Sequence, residues 1–312
     1  ALIKRGEIEF KDKKINAQER GALGVIIYNL DNDDTILDAT AFDENVLIPS
    51  IFIKNSDGVK LKNLISEGLK VYFKDELFER KNDGSGKMSE FSSWGPAPNL
   101  DLKPDITGIG GTIWSTVNDN SYKSMSGTSM ATPYVSGVSA LLLQHINSLN
   151  LNFTDPSEKV SFNKTLLMNT AEIQMDEEHG VPYSPRKQGA GLANAENALK
   201  NKVILRYEGQ ASAALGVIDR ITNFSLELKN YGDKPIRYKV EASSGVLTEV
   251  DKVSDEEPYE IKLDGADIKF DKDSITVEPG QTVTVNTTIT LDDRVAEGRF
   301  VEGFIEFVPE DL

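Results

Sequence analysis

The residues best suited to chemistry lie in Ser124–Gln144, where a small, turn-forming run passes into a long apolar stretch. Gly127 and Thr128 allow a tight bend, and the apolar residues beyond them recur at three- and four-residue spacing, which predicts a buried helix. Ser129 would then lie at the N-terminus of this helix, where unpaired backbone N–H groups and the helix dipole favour negative charge. A serine in that position suits acyl transfer, because an oxyanion develops beside the nucleophile.

Two other interpretations of Ser129 stay open at this point: an ordinary N-cap serine of a core helix, and the nucleophile of a G-x-S-x-G elbow in an α/β-hydrolase. Ala131 argues against the elbow, because it occupies the position of the last glycine in that pattern.

Pro133 is expected in the first turn of the helix, where its missing N–H does no harm. Ala131, Gly137 and Ala140 would allow close packing. The predicted apolar face comprises Val135, Val138, Leu142, Ile146 and Leu149.

The complete run GTSMATPYVSG, residues 127–137, resembles the nucleophile motif of the subtilisin-like serine proteases. This resemblance implies that Ser129 attacks the carbonyl of the scissile peptide bond and that the oxyanion site includes the backbone of Ser129 and Thr128. It also implies that Met125 and Ser126, just before the motif, contact the substrate.

The run FSSWGPAP, residues 91–98, is similar to an F-S-S-x-G segment that lines the substrate cleft of the same family. A place in the protein core is the alternative interpretation for the tryptophan. The residues that the resemblance assigns to substrate binding here are Ser92, Ser93, Trp94 and Gly95.

The run LKPDITGIGGTIWST, residues 102–116, resembles the family's K-P-D-I segment, in which the position of Asp105 has a structural role. Residues 108–110 read Gly-Ile-Gly where the family has Ala-Pro-Gly. Ser184–Lys200 resembles the S-P-R-x-Q-G-A-G signature that closes the catalytic domain in the cell-envelope proteinase subfamily. Gly189 and Gly191 are expected to form a tight turn against that domain.

These resemblances predict an α/β fold: a subtilisin-like parallel-sheet catalytic part with an inserted protease-associated α/β domain and a C-terminal fibronectin type III-like β-sandwich. The expected domains are a protease-associated domain at 1–75, a linker at 76–90, the nucleophile-bearing catalytic part at 91–201 and the β-sandwich at 202–312.

Residue patterns predict the individual elements of these domains. Strands are expected at Ala1–Ile3, Gly24–Asn29, Pro49–Ile53, Lys70–Lys74, Thr222–Leu228, Ile236–Val240, Gln281–Leu291 and Gly303–Val308. Helices are expected at Ile15–Arg20, Asp57–Glu67, Val160–Thr170 and Asn194–Leu199.

A serine protease also needs a general base and a carboxylate that orients it, and the chain has only two histidines. His145 lies 16 residues beyond Ser129, which corresponds to ~24 Å along one helix. His179 lies in a loop whose sequence is unlike a catalytic histidine motif. The family's aspartate, histidine and oxyanion asparagine motifs are absent from this sequence, so we expect the chain to be inactive without a separate N-terminal part that carries them.

The composition of the chain excludes or disfavours several classes of site and partner. The 312 residues are 39% hydrophobic with a formal net charge of −16, which disfavours nucleic acid as a partner. Disulfides, thiolate catalysis and Cys-based zinc sites are excluded, because the chain has no cysteine. No apolar run approaches the ~20 residues of a membrane span, and the first residues lack a signal-peptide pattern. We therefore expect a processed or partial chain that does not insert into a membrane.

The leading hypothesis is a serine endopeptidase fragment that cleaves extracellular proteins or peptides through an acyl-enzyme on Ser129. Its expected location is secreted or attached to a bacterial cell wall. The chemistry would need no cofactor. Structural calcium is frequent in the family, and the acidic run Asp31–Asp34 offers oxygen ligands, although a solvated acidic loop explains it equally well. The alternative is a non-catalytic adhesion or scaffold protein derived from a subtilase.

Overall fold

The computed structural model describes residues 1–34, 45–65, 68–72, 84–149, 151–250 and 258–310. The chain divides into two compact units. The first comprises residues 1–81 and 112–126, and the second comprises residues 82–111 and 127–312. Each unit is described by itself.

The first unit contains a small parallel sheet flanked by helices, in the strand order β1-β2-β3. Its core is formed by Ala17, Val25, Ile27 and Phe52. The elements in chain order are β1 (Leu2–Lys4), α1 (Phe10–Glu19), β2 (Val25–Tyr28), β3 (Ser50–Ile53) and α2 (Asn55–Leu64). The predicted helices and three of the four predicted strands of this region are thus found, although α1 begins five residues before its predicted start at Ile15.

One predicted strand of the first unit is wrong in its described part. Residues 70–72 form no strand, and residues 73 and 74 lie outside the described residues. The first unit also contains an antiparallel hairpin of β4 (Ile113–Val117) and β5 (Ser121–Met125). The exposed rings of Trp114 and Tyr122 stack on the hairpin with 6.2 Å between their centroids.

The helical part of the second unit is built around one core that α3, α4 and α6 share. Buried side chains of this core include Val138, Leu142 and Ile146 from α3, together with Phe162 and Leu166 from α4. The elements are α3 (Thr128–Ser148), α4 (Pro156–Asn169), β6 (Met175–Asp176), β7 (Val181–Pro182), α5 (Pro185–Gln188) and α6 (Ala195–Lys200). The two predicted helices beyond Ser129 are therefore confirmed as α4 and α6, with shifted ends.

The C-terminal part of the second unit is a β-sandwich, in which one sheet has the order β13-β15-β9-β8 and the other the order β14-β10-β16. All pairings in these sheets are antiparallel. The alternation predicted from sequence is confirmed, because Phe224, Leu226 and Leu228 are all buried. The strands are β8 (Val203–Arg206), β9 (Ile221–Asn230), β10 (Ile236–Glu241), β11 (Leu247–Glu249), β12 (Glu260–Lys262), β13 (Ala266–Phe270), β14 (Ser274–Val277), β15 (Thr282–Leu291) and β16 (Glu306–Pro309).

Candidate active site

Ser129 is the second residue of α3 and is exposed to solvent. The chain enters the helix through Gly127, whose φ of 152° and ψ of 165° suit a residue without a side chain. The carbonyl of Gly127 accepts hydrogen bonds from the amides of Met130 (3.0 Å) and Ala131 (3.3 Å). The turn is therefore tightly defined, and it presents the serine hydroxyl at the mouth of the helix.

The two backbone amides at this mouth are available as donors. Within the described residues, the N–H groups of Thr128 and Ser129 donate to no carbonyl, as expected for the first residues of a helix. The helix dipole adds partial positive charge at the same place. This arrangement would stabilise an oxyanion that forms next to the Ser129 hydroxyl.

Two expectations about the helix are wrong. Pro133 is the sixth residue of α3, in the second turn, because the helix begins at Thr128. It has no N–H to donate to the carbonyl of Ser129 four residues earlier. The helix is also buried along one face only: Gly137, Ala140 and Leu141 are exposed, and a Cβ added at Gly137 would meet no atom within 4 Å.

The Gly-Ile-Gly run at residues 108–110 packs against this turn. The amide of Gly127 donates to the carbonyl of Gly110 at 2.8 Å. A Cβ on Gly110 would come within 2.7 Å of the Gly127 carbonyl oxygen, and one on Gly108 within 2.7 Å of Val135. An alanine at position 108, as in the family's Ala-Pro-Gly, would therefore collide with Val135 in this structure.

Asp105 has structural partners, in agreement with the sequence expectation. Its carboxylate accepts hydrogen bonds from Lys103 at 2.5 Å and pairs with Lys164 at 2.7 Å. Burial would raise the pKa of Asp105, but the bonds and charges of the two lysines outweigh burial and hold it below the ordinary value. A carboxylate paired in this way is not available to orient a general base.

The residues predicted to line the substrate cleft contact α5. The Ser92 hydroxyl donates to the carbonyl of Lys187 at 3.3 Å, and the Gly95 amide donates to the carbonyl of Arg186 at 2.8 Å. The half-buried Trp94 ring lies 5.0 Å from the Lys187 ammonium. Ser93 is exposed. The substrate-binding role of these residues stays a prediction.

Met125 and Ser126, also predicted to contact the substrate, belong to the first unit. Met125 ends β5 opposite Ile113, and its side chain is exposed. The Ser126 hydroxyl accepts a hydrogen bond from the Thr112 amide at 2.8 Å. Their role stays a prediction as well.

Both histidines have neighbours other than Ser129. His145 lies in the last turn of the same helix, where burial and the nearby Lys202 lower its pKa. The Asp176 carboxylate accepts a hydrogen bond from Nδ1 of His179 at 2.8 Å, and the His179 ring stacks on Tyr259 with 3.7 Å between the ring centroids. The roles of Ser129 as nucleophile and of the Ser129 and Thr128 amides as oxyanion donors stay predictions.

The closing signature forms a tight turn, as predicted. Gly189 has a φ of 65° and Gly191 a φ of 126°. An added Cβ would come within 2.4 Å of Asp105 at the first position and within 2.4 Å of the Glu172 carbonyl oxygen at the second. Both glycines are therefore required by close backbone approach.

Sequence reasoning missed an ion cluster that surrounds this signature. Arg186 is buried and pairs with Glu302 at 2.8 Å and with Glu249 at 3.0 Å, both in the β-sandwich. Glu260 lies beside them, opposite Glu249 in the β11–β12 ladder, and is 2% exposed. The arginine of the S-P-R motif was visible in the sequence, but nothing in the pattern identified its distant partners.

The acidic run Asp31–Asp34 has partners other than a metal. Asp31 pairs with Lys4 at 2.5 Å, and Asp34 accepts a bond from the Ser56 amide at 2.8 Å. In the part of the chain that the structure describes, no group of three or more acidic, histidine or cysteine side chains is arranged to hold a metal ion. Structural calcium stays a prediction without an assigned site.

A cavity of about 760 Å³ lies between α4 and the β-sandwich. Its lining includes the aromatic rings of Phe153, Phe162 and Tyr231 and the cations Arg206 and Lys229. None of the residues predicted to act in catalysis lines it, so its size alone does not mark the active site.

Among the helices of the described residues, none combines the length and hydropathy that crossing a membrane requires.

The exposed Ser129 hydroxyl lies beside amides that donate to no carbonyl of the described residues, an arrangement that suits acyl transfer. Residues 15–191 match the model of the subtilase family, and residues 213–311 match that of an Fn3-like domain. The first match covers more than half of the chain. The chain therefore belongs to the subtilase family of serine peptidases.

Relatives with recorded activities agree with this family. The PII-type proteinase of Lacticaseibacillus paracasei is 35% identical over 100% of this chain and 17% of its own length. The C5a peptidase of Streptococcus pyogenes is 30% identical over 98% of this chain and 26% of its own length. The solved prenylagaramide maturation protease PagA is 21% identical over 62% of this chain and 68% of its own, with a TM-score of 0.29 that supports no conclusion. The chain thus spans about a sixth to a quarter of the two proteinases.

Proposed function

We propose that this chain is the nucleophile-bearing part of a serine endopeptidase that cleaves proteins or peptides outside a bacterial cell. Ser129 attacks the scissile carbonyl, the amides of Ser129 and Thr128 bind the developing oxyanion, and water hydrolyses the resulting acyl-enzyme. The chemistry uses no cofactor. The observation that carries the proposal is the exposed Ser129 hydroxyl beside two amides that donate to no carbonyl in the described part of the chain.

The base and its orienting carboxylate come from a separate N-terminal part of the same protease. The exposed face of α3 supports this partner, because the large apolar side chain of Leu141 is 54% exposed there, and the small neighbours Gly137 and Ala140 leave room for close approach. We propose that the segment with the aspartate, histidine and oxyanion asparagine covers this face. The proposed location, secreted or wall-attached, follows from the resemblance to cell-envelope proteinases.

A fluorophosphonate probe tests the proposal, because it reacts only with an activated serine. We expect Ser129 to be labelled in the complete proteinase and not in the isolated chain. Ser129→Ala should abolish labelling and lower kcat for peptide hydrolysis by at least ~1,000-fold. Ser136→Ala is the matched control, since Ser136 is an exposed serine two turns along the same helix.

Other outcomes would select other functions. Absence of labelling in the complete, folded proteinase would favour the non-catalytic adhesion or scaffold protein. Labelling of Ser129 in the isolated chain would instead favour an esterase-like site that needs no further segment.

A further inference from the structure

The cluster around Arg186 joins the closing signature of the catalytic part to the β-sandwich. The Arg186 Nε donates to Glu302 at 2.8 Å, and a terminal nitrogen donates to Glu249 at 3.0 Å. Its guanidinium carbon lies 3.8 Å from the centroid of the Phe300 ring. The hydroxyl of Ser184, two residues before Arg186, donates to the same Glu302 at 2.8 Å. One short segment is therefore fixed to the sandwich by several directional contacts.

A buried ion cluster contributes little net free energy to the contact between two domains. Desolvation of the charges offsets much of their attraction, and apolar residues of similar volume often stabilise a protein as well or better. What the charged contacts provide is geometry, because a bidentate guanidinium fixes both the distance and the orientation of its partners. The position of α5 is thus set by the sandwich.

The segment after Arg186 is bonded to Thr107. The Thr107 hydroxyl donates to the carbonyl of Gln188 at 2.8 Å, and its amide donates to the carbonyl of Gly191 at 2.8 Å. In return, the amide of Ala193 donates to the Thr107 carbonyl at 2.9 Å. Gln188 itself is fully buried and uses its side-chain amide to bind the backbone of neighbouring residues, including Tyr183 at 2.6 Å. This stretch has little freedom to move independently of α5.

Three residues beyond Thr107, Gly110 is bonded to the nucleophile turn. Its carbonyl accepts the 2.8 Å hydrogen bond from Gly127, the residue that precedes α3. The contact is too close to admit a side chain on Gly110. A continuous series of short backbone contacts therefore leads from the Arg186 cluster to a point two residues before Ser129.

We propose that Arg186 is a positioning residue for the Ser129 nucleophile. Arg186 acts through Gln188, Thr107 and Gly110, and in this way the β-sandwich holds the turn at Gly127–Ser129 in its reactive geometry. The inference rests on the proposed function, since it takes Ser129 as the nucleophile. Displacements of about 1 Å in a reacting group can cost up to ~100-fold in rate. A small shift of α5 is therefore sufficient to change catalysis without unfolding the domain.

The test is the variant Arg186→Gln in the complete proteinase. We expect the second-order rate of fluorophosphonate labelling at Ser129 and kcat both to fall about tenfold, while KM changes less than about twofold. A purely structural role would lower the amount of folded enzyme and leave the rate per active site unchanged. The control is Arg237→Gln, which removes the exposed Arg237–Glu310 pair from the same sandwich and should leave all three values unchanged.

A second variant tests the path itself. Thr107→Val removes the hydroxyl bond to Gln188 and should also slow the labelling. If the path carries the effect, the double variant with Arg186→Gln should lose about as much as the stronger single variant. Multiplication of the two single effects would reject the path.

The remaining outcomes are decisive as well. An unchanged labelling rate per active site in folded Arg186→Gln overturns the inference. If that variant does not fold, Glu302→Gln, which retains a hydrogen-bonding group of the same size, should give the same loss, and unchanged labelling there also overturns it. Proteolysis that survives Ser129→Ala refutes the proposed function, whereas full activity of Arg186→Gln beside an inactive Ser129→Ala refutes only the positioning role.

Discussion

Replacement of Glu260 by glutamine tests how a buried carboxyl beside the Arg186 cluster makes the stability of the protein depend on pH. Glu260 is 2% exposed, and within the described residues its Oε1 has no hydrogen-bond partner. Burial raises the pKa of Glu260 to about 7, and the negative charge of Glu302 adds to the shift. A backbone hydrogen bond from Ser184 and the charges of Arg186 and Lys187 oppose it. The folded protein therefore holds this carboxyl in its neutral form at a pH where the unfolded chain ionises it.

The difference between the folded-state and ordinary pKa values of Glu260 fixes the sign and size of the change in stability with pH. The folded-state pKa of about 7 lies above the ordinary value of 4.5. The contribution of the neutral carboxyl to stability is thus fully present below pH 4.5 and is lost as the pH rises through 7. At 1.36 kcal/mol per pKa unit, the loss for one group amounts to about 3 kcal/mol.

The assay is urea unfolding of the wild type and of Glu260→Gln between pH 4 and pH 8. We expect the free energy of unfolding of the variant, relative to the wild type, to increase by about 3 kcal/mol over this range, because glutamine cannot ionise. The contributions of groups that do not interact with Glu260 are common to both proteins and cancel in the difference. Glu278→Gln, an exposed carboxyl of the same sandwich, is the control and should run parallel to the wild type. A constant difference between Glu260→Gln and the wild type across the range would refute the reasoning.

Two further substitutions test packing at the site. Gly191→Ala should lower the free energy of unfolding by about 3 kcal/mol or more, since it adds a Cβ 2.4 Å from the Glu172 oxygen at a φ of 126°. The control is Gly180→Ala, which has open space around the added Cβ. In urea unfolding this control should lower the free energy of unfolding by only about 1 kcal/mol. Leu142→Ala should cost about 3 kcal/mol because Leu142 is 0% exposed, whereas its neighbour Leu141, 54% exposed, should cost less than about 1 kcal/mol. Equal losses at the two leucines would contradict the assignment of the buried face.

The features that depend on local chemistry were predictable from the sequence. The run around Ser129 predicted a helix that begins at the serine, and apolar spacing identified Val138, Leu142 and Ile146 as its buried face. The S-P-R-x-Q-G-A-G pattern identified Gly189 and Gly191 as turn residues, and the structure adds the close approach of their backbone to Asp105 and Glu172.

The features that depend on distant partners were not predictable. Arg186 pairs with carboxylates 63 and 116 residues away, and residue spacing carries no information about such contacts. The expected position of Pro133 is wrong for another reason: it is the sixth residue counted from Thr128, where α3 begins, and would be the fifth counted from Ser129, so both starts place it beyond a first turn of about 3.6 residues. The exposure of Gly137 and Ala140 could not be derived either, since a small residue fits equally well against a neighbour and beside water.

The core of the helical part extends into the β-sandwich. Ile204, at the start of β8, is 2% exposed and packs with Leu142 and Phe162, and Tyr231 meets the Phe162 ring edge-on at 5.1 Å. A chain cut at the border suggested by sequence, after Asn201, would leave Phe162 facing water. The two modules should consequently melt in a single cooperative transition, and neither could be exchanged between relatives without its counterpart.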